Sequence, residues 1–489
     1  MNSKFTCCVA ALAGVASFGC SSSAETPDLE QLASAEEAHR SADGTDYFYV
    51  PAPDRGGVRQ VADLIRRRKI ADAARVAKMI TTPQAVWFTD GSPSEVKKAV
   101  KQTTKQAKAA HRVPVLVAYN VPYRDCAQYS AGGAVDTAAY QAWIDGFASG
   151  IGDREAVVIL EPDGLGIIPN NLTFWGAKEW CQPKVIDEEG NSVDAPGATS
   201  AERYAQLRYA IQSLAEKAPN ASIYLDATHS YWLGVGEAAY RLYKAGFDGS
   251  VPQVKGFYVN TSNYQTTATS TQFGTWVSMC LATGMVESIP SWYVESNPDS
   301  PNYGSPQFGW CAGQYRETEP GSGVYVVDYS EAYAATVTEG LLGLMSGVGA
   351  TAATMPFVID TSRNGQGPLD ASAYAGEPYN QPEGVITALN NGNWCNPPGR
   401  GVGPRPTNVT GNALVDAYLW VKIPGQSDGS CDSAGGARAW DFAAYNPWGV
   451  AEVDQPHFDP LWGMVNPAAG EWFPEQALEL AKKADPPLL

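Results

Sequence analysis

Seven short apolar runs, each closing on polar residues and separated by helix-length stretches, constrain this chain more than any other feature. They cover residues 85–88, 114–119, 156–160, 222–225, 256–259, 356–359 and 417–421. Several are unbroken aliphatic runs, the pattern of strands buried on both faces. Helical periodicity fills stretches between them, as in 94–110, 138–151 and 201–218, and also precedes the first run over 58–80. Such alternation predicts an α/β fold with a parallel sheet and helical crossovers. Seven strands rather than eight predict an irregular, distorted parallel β/α barrel.

Polar residues follow each run: Asp90, then Arg124-Asp125, then Glu161-Pro162-Asp163, Asp226 with His229, Asn260 with Asn263, Asp360 with Arg363, and Lys422 with Asp428. One polar residue after a strand is usually a cap or a turn. Seven such places in succession point to the C-terminal face of a barrel, where loops build the active site. About 100 residues separate the fifth and sixth runs, which marks an insertion at about 265–325. It carries Trp276, Trp292, Tyr293 and Trp310 and is expected to line a substrate path. A second irregular segment, 432–468, holds Trp440, Trp448 and Trp462.

Composition narrows the chemistry. A net charge of −18 removes the basic footprint of a nucleic-acid binder and repels anionic substrates and membrane surfaces overall. With 14 Trp and 24 Tyr against 4 His, the chain suits stacking on neutral, flat ligands better than a His-rich metal site. Carboxylates with aromatic platforms point to glycoside hydrolysis. There one protonated carboxyl donates to the leaving oxygen, and an inverting enzyme activates a water on the opposite face. Asp163 suits the acid, because burial and its neighbours Glu161 and Asp125 would raise its pKa.

The N-terminus reads as an address. Lys4 precedes an apolar stretch over 7–18, then Gly19-Cys20-Ser21-Ser22-Ser23. The stretch is too short to span a bilayer and predicts a signal peptide over 1–19. Glycine before cysteine and a serine run resembles a bacterial lipoprotein cleavage site, with Cys20 lipidated and 20–45 a disordered tether. Ordinary signal cleavage nearby is the alternative. Either way the protein is expected to be exported, at the outer cell surface or beyond. Cys126, Cys181, Cys280, Cys311, Cys395 and Cys431 then form an even set, read as three disulfides with fifteen possible pairings. There is no C-x-x-C and no Cys/His cluster, so no zinc site is expected.

Seven segments occur in a telling order. They are Gln84-Ala85-Val86-Trp87, Tyr119-Asn120-Val121-Pro122-Tyr123-Arg124-Asp125-Cys126, Leu160-Glu161-Pro162-Asp163, Leu225-Asp226-Ala227-Thr228-His229, Asp360-Thr361-Ser362-Arg363-Asn364-Gly365, Asn393-Trp394-Cys395-Asn396, and Trp420-Val421-Lys422-Ile423-Pro424-Gly425-Gln426-Ser427-Asp428-Gly429. Together they resemble glycoside hydrolase family 6, the inverting β-1,4-glucanases, over residues 48–484. The resemblance implies an irregular seven-stranded barrel, no metal or organic cofactor, and a β-1,4-glucan as partner. The acidic charge argues against nucleic acid as a partner, membrane contact is expected only through a lipid on Cys20, and a monomer is expected. Asp163 matches the general acid. Asp125 matches the carboxylate that raises the acid's pKa and helps organise the nucleophilic water. Asp428 matches an aspartate proposed as base or as oxocarbenium stabiliser. Tyr119 matches the tyrosine near the distorted sugar, Trp87, Trp232 and Trp394 match sugar platforms, and Lys422 matches a sugar-binding lysine. Asp226, His229 and Asn263 complete the expected substrate-binding set. Cys126–Cys181 and Cys395–Cys431 match the family disulfides, which leaves Cys280–Cys311 as the remaining pair.

Three departures stand out. Gln426 replaces a usual Glu and cannot accept a proton. Thr228 replaces a common Gly. Val235 stands where cellobiohydrolases carry another Trp. The short segment 127–134 resembles endoglucanases, whereas 265–325 and 432–468 favour the longer loops of exo-acting members. Endo-acting cleavage is the expectation, with an exo-acting cellobiohydrolase as the alternative. A non-catalytic carbohydrate-binding lipoprotein is more remote. So is a serine hydrolase built on Gly425-Gln426-Ser427-Asp428-Gly429 with His457.

Overall fold

In the computed structural model, residues 44–126, 130–173, 176–179, 181–300, 302–377, 380, 382–390, 394–431, 458–459 and 461–489 are described. The expected signal peptide, the tether up to residue 43, residues 127–129 and residues 432–457 lie outside them. Trp440, Trp448 and His457 therefore lie outside as well.

Seven strands form one sheet in chain order. They are β1 (Val86–Phe88), β2 (Val115–Ala118), β3 (Ala156–Leu160), β4 (Ala221–Asp226), β5 (Val254–Val259), β6 (Phe357–Asp360) and β7 (Val415–Leu419). Every adjacent pair is parallel. β7 and β1 do not pair as strands, yet the Ala85 N–H donates to the Trp420 carbonyl at 2.9 Å. The sheet curls until its edges meet at that bond, the distorted barrel the sequence predicts.

Side-chain alternation splits the strands between two cores. Val115, Val117, Ile159, Tyr224, Tyr258, Val358, Ala417 and Leu419 pack together inside the barrel. Leu116, Ala118, Val158, Leu160, Ile223, Leu225, Phe257, Val259, Phe357 and Ile359 face the helices. Those helices are α1 (Arg55–Arg66), α2 (Ile70–Ile80), α3 (Pro93–Ala109), α4 (Thr137–Ile151), α5 (Ser200–Lys217), α6 (Val235–Ala245), α7 (Thr267–Gly284), α8 (Glu331–Val348), α9 (Glu383–Asn390) and α10 (Pro474–Lys482). α3 starts cleanly because Ser92 and Glu95 form a capping box and Pro93 opens the first turn. A third cluster of Leu64, Val76, Met79, Ile80, Trp420, Ala477 and Leu480 joins α1, α2 and α10 to the seam between β7 and β1.

The insertion is smaller than predicted. Residues 267–284 are α7, a barrel helix, and Trp276 is fully buried, its indole N–H reaching the Thr338 hydroxyl at 3.0 Å. Trp276 is core and lines no substrate path. The excursion proper follows α7. Trp292 and Trp310 stack at 5.8 Å on the outer flank, where Trp292 neighbours Gly347 in the last turn of α8. Its later part does approach the strand ends: the Tyr315 hydroxyl donates to the Trp232 carbonyl at 2.8 Å. All three disulfides, Cys126–Cys181, Cys280–Cys311 and Cys395–Cys431, are formed. They fit an exported protein.

Candidate active site

The strand ends are strained. Asp125 (φ 47°), Glu161 (φ 50°), Asp163 (φ 61°) and Thr228 (φ 62°) all sit in the left-handed region, which non-glycine residues seldom occupy away from functional sites. Three buried carboxylates hold these turns through main-chain N–H groups. Glu161 Oε2 accepts from Asn120 at 2.8 Å and Val121 at 2.9 Å, which ties the β3 loop to the β2 loop. Asp226 accepts from Leu165 and Gly166 (both 3.2 Å) and from Thr228 (2.8 Å). Asp360 accepts from Ser262, Ser362, Val421 and Lys422. Burial raises Glu161 to about 7 and Asp226 to about 6.

Three further carboxylates converge above this frame, each in a different state. Burial first, then the charges of Asp226, Asp125 and Asp428, push Asp163 well above the usual carboxylate range. Among the described residues none donates a hydrogen bond to its carboxylate. Asp125 is also raised by burial, though Ser130 pulls it back through its N–H at 3.2 Å and through its hydroxyl, both donating to Asp125 Oδ2. Asp428 goes the other way. Burial would raise it, but Arg363 and Lys422 outweigh that and hold it well below the usual range. One Arg363 nitrogen lies 2.8 and 2.9 Å from the two Asp428 oxygens, and Lys422 Nζ lies 3.1 Å from one of them. The Asn396 N–H adds a bond at 2.9 Å.

Aromatic groups frame the carboxylates. The Trp87 indole N–H donates to the Val421 carbonyl at 2.7 Å, and its ring meets Tyr119 edge-on at 5.3 Å. Arg124 sits over the Tyr119 ring, 4.7 Å from its centre. Trp394 packs against Tyr264 at 4.8 Å. His229 and Trp232 lie 5.6 Å apart, and burial holds His229 neutral by lowering its pKa to about 3. Asn263 is half-buried, its side-chain oxygen accepting from the Tyr264 N–H at 2.8 Å. Lys422 Nζ also donates to the Ser427 carbonyl at 3.1 Å.

Arg363, Tyr264 and Asn396 belong to the site although the expected set omits them. Arg363 is 1% exposed, stacks over Tyr264 at 4.3 Å and grips Asp428. Its signal was its place after β6; Asn396 had the neighbouring Cys395 bridge to Cys431. Asp90, by contrast, is exposed, and its carbonyl serves the Trp143 indole in a turn. Gln426 has a structural task. Its amide donates to Asp54 Oδ2 at 3.0 Å, while Asp54 Oδ1 caps α1. A glutamate there would meet like charge. Ser427 is fully buried and its hydroxyl donates to the Pro467 carbonyl at 2.7 Å, so it is no nucleophile. Val235 is buried at the start of α6 and offers no platform.

A parallel barrel with one uncharged-prone acid facing two differently tuned carboxylates, walled by indoles, defines the glycosidase class. Within that class, residues 44–484 match the glycosyl hydrolases family 6, and the chain belongs to that family. Endoglucanase A of Cellulomonas fimi is 30% identical over 84% of this chain, and endoglucanase 1 of Streptomyces halstedii is 32% identical over 76%. The chain spans 57% of the first relative's length and 78% of the second's. Among solved structures, an endoglucanase from Mycobacterium tuberculosis in complex with a methyl-cellobiosyl thio-cellobioside aligns at TM-score 0.51 and 26% identity. That alignment covers 89% of this chain and 97% of the other.

Proposed function

We propose that this chain, acting as a monomer, hydrolyses β-1,4-glucosidic bonds of cellulose or a related β-glucan, with inversion at the anomeric carbon and by internal cleavage. The observation that carries the reading is the contrast between Asp163, which burial and neighbouring carboxylates push well above the usual carboxylate range, and Asp428, which Arg363 and Lys422 hold well below it. Asp163 gives its proton to the leaving oxygen. Asp125, with Ser130, orients the water on the far face and draws its proton. Asp428, already paired with two cations, is a poor proton acceptor and serves to stabilise the positive charge developing on the sugar ring. Trp87, Trp232 and Trp394 offer faces for glucose rings, and Tyr119 with Lys422 sits by the ring that reacts. Asp226 positions Asp163 from behind through the 165–166 turn.

Internal cleavage is supported by the endoglucanase relatives and by the missing platform at Val235. Carboxymethylcellulose viscosity is expected to fall steeply before much reducing sugar appears. Cellobiose dominating from the first minutes while viscosity holds would instead favour the exo-acting alternative. The Gly19-Cys20 junction and the three bridges support export with a lipid on Cys20. Labelled palmitate is expected to enter the unaltered chain in a lipoprotein-processing bacterium and not Cys20→Ser; equal labelling of both would refute this.

A further inference from the structure

Trp292 and Trp310 are expected at a substrate path yet lie on the barrel's flank. They are 47% and 55% exposed, with ring centres 5.8 Å apart and planes 21° from parallel. Both are held there firmly. Trp292 rides on the turn Ser291–Tyr293, whose Tyr293 is fully buried and shares a hydroxyl hydrogen bond with Thr283 at 2.7 Å. Trp310 ends the turn Phe308–Trp310, whose Phe308 is fully buried. The two turns are sewn together, since the Gln307 N–H donates to the Tyr293 carbonyl at 2.9 Å and its amide to the Trp292 carbonyl at 3.3 Å. Cys311, next to Trp310, is bonded to Cys280 on α7.

We propose that this indole pair is a second binding platform, outside the cleft, for a β-1,4-glucan chain; the choice of polymer rests on the reading given above. Charge selects the occupant. Residues 285–315 contain no Lys, Arg or His, and they carry Glu287, Glu295 and Asp299, so a polyanion is repelled. Asn297, Ser300 and Asn302 make the same segment rich in neutral hydrogen-bonding groups. Flat apolar faces with neutral amides and hydroxyls match a neutral polyhydroxylated chain. A second copy of the protein fits less well. Two half-exposed indoles offer about 250 Å², against the roughly 800 Å² per partner of a stable interface. A polymer needs no such area, because it is already held elsewhere on the molecule and a second weak contact raises its retention.

The test uses insoluble cellulose and soluble cello-oligosaccharides side by side. In cold sedimentation with microcrystalline cellulose, Trp292→Ala/Trp310→Ala is expected to bind about tenfold more weakly than the unaltered chain. Its turnover of soluble cello-oligosaccharide stays unchanged, because neither ring meets the carboxylates. Trp292→Gln/Trp310→Gln, whose polar side chains suit exposed positions, repeats the measurement with an unchanged melting temperature. Trp292→Tyr/Trp310→Tyr keeps two flat rings and is expected to retain most of the binding. Undiminished cellulose binding in the Gln pair overturns the platform. So does a Gln pair that merely shifts the gel-filtration volume from dimer to monomer. Failure of the unaltered chain to cleave the soluble substrate would instead strike the hydrolase reading, while the binding comparison still stands.

Discussion

Asp163→Asn is expected to lower turnover of cellulose by about 10²–10⁴-fold, the usual worth of a general acid. The alcohol leaving a glucan must be protonated as its bond breaks, and an amide has no proton to give at that strength. The loss depends on the leaving group. An aryl cellobioside whose phenolate departs unaided is expected to lose far less, since the step no longer needs the donor. KM changes little, because the two side chains have nearly the same shape. Comparing kcat on the two substrates checks this directly, and equal losses would remove Asp163 from the role. The alkaline side of the pH profile has a definite sign. Only protonated Asp163 works, so kcat falls as pH rises through its raised pKa. In the Asn variant this limb disappears from whatever activity remains.

Much of this frame could be read from the residues. Runs such as Val115–Ala118, buried at every position, announce central parallel strands because both faces must be apolar. Their ends were less legible. The last apolar run spans 417–421, but the strand is Val415–Leu419, and residues 420 and 421 have left the sheet to meet Ala85 and Trp87 across the seam. The fifth run starts at Gly256, yet its strand begins at Val254. The register shifts there, and Gly256 lies against the Pro356 carbonyl. α7 is concealed in the sequence for a different reason. Most of its residues from Phe273 to Gly284 are buried, and it is rich in Thr, Ser and Gly, so no apolar stripe distinguishes it from a loop. The site divides the same way. Asp125, Asp163 and Asp428 follow strands or end a recognisable segment. The grip on Asp428 does not show in sequence, because Arg363 and Tyr264 lie 65 and 164 residues away and meet it only when the sheet curls.

The curl also decides how Asp125 works, and Asp125→Asn tests it through both rate and pH. Asp125 and Asp163 leave adjacent strands on loops that Glu161 ties together. Their charges therefore act on each other across a fixed gap. In the proposed reaction Asp125 must be ionised to draw a proton from the water it orients with Ser130. The acidic limb of the pH profile accordingly reports the raised pKa of Asp125, with activity lost as pH falls through it. Asp428 cannot set that limb, because Arg363 and Lys422 keep it ionised throughout. Asparagine removes the proton acceptor, and kcat is expected to drop by about 10²–10³-fold, within the range for a lost general base. It also removes a negative charge that helps raise Asp163. Burial and Asp226 still raise that group, so its pKa stays elevated but falls, and the alkaline limb moves to lower pH. A structural lesion would lower the rate without moving the limb. Near-normal turnover, or a reduced rate with the alkaline limb in place, would mean that Asp125 neither serves the water nor tunes the acid.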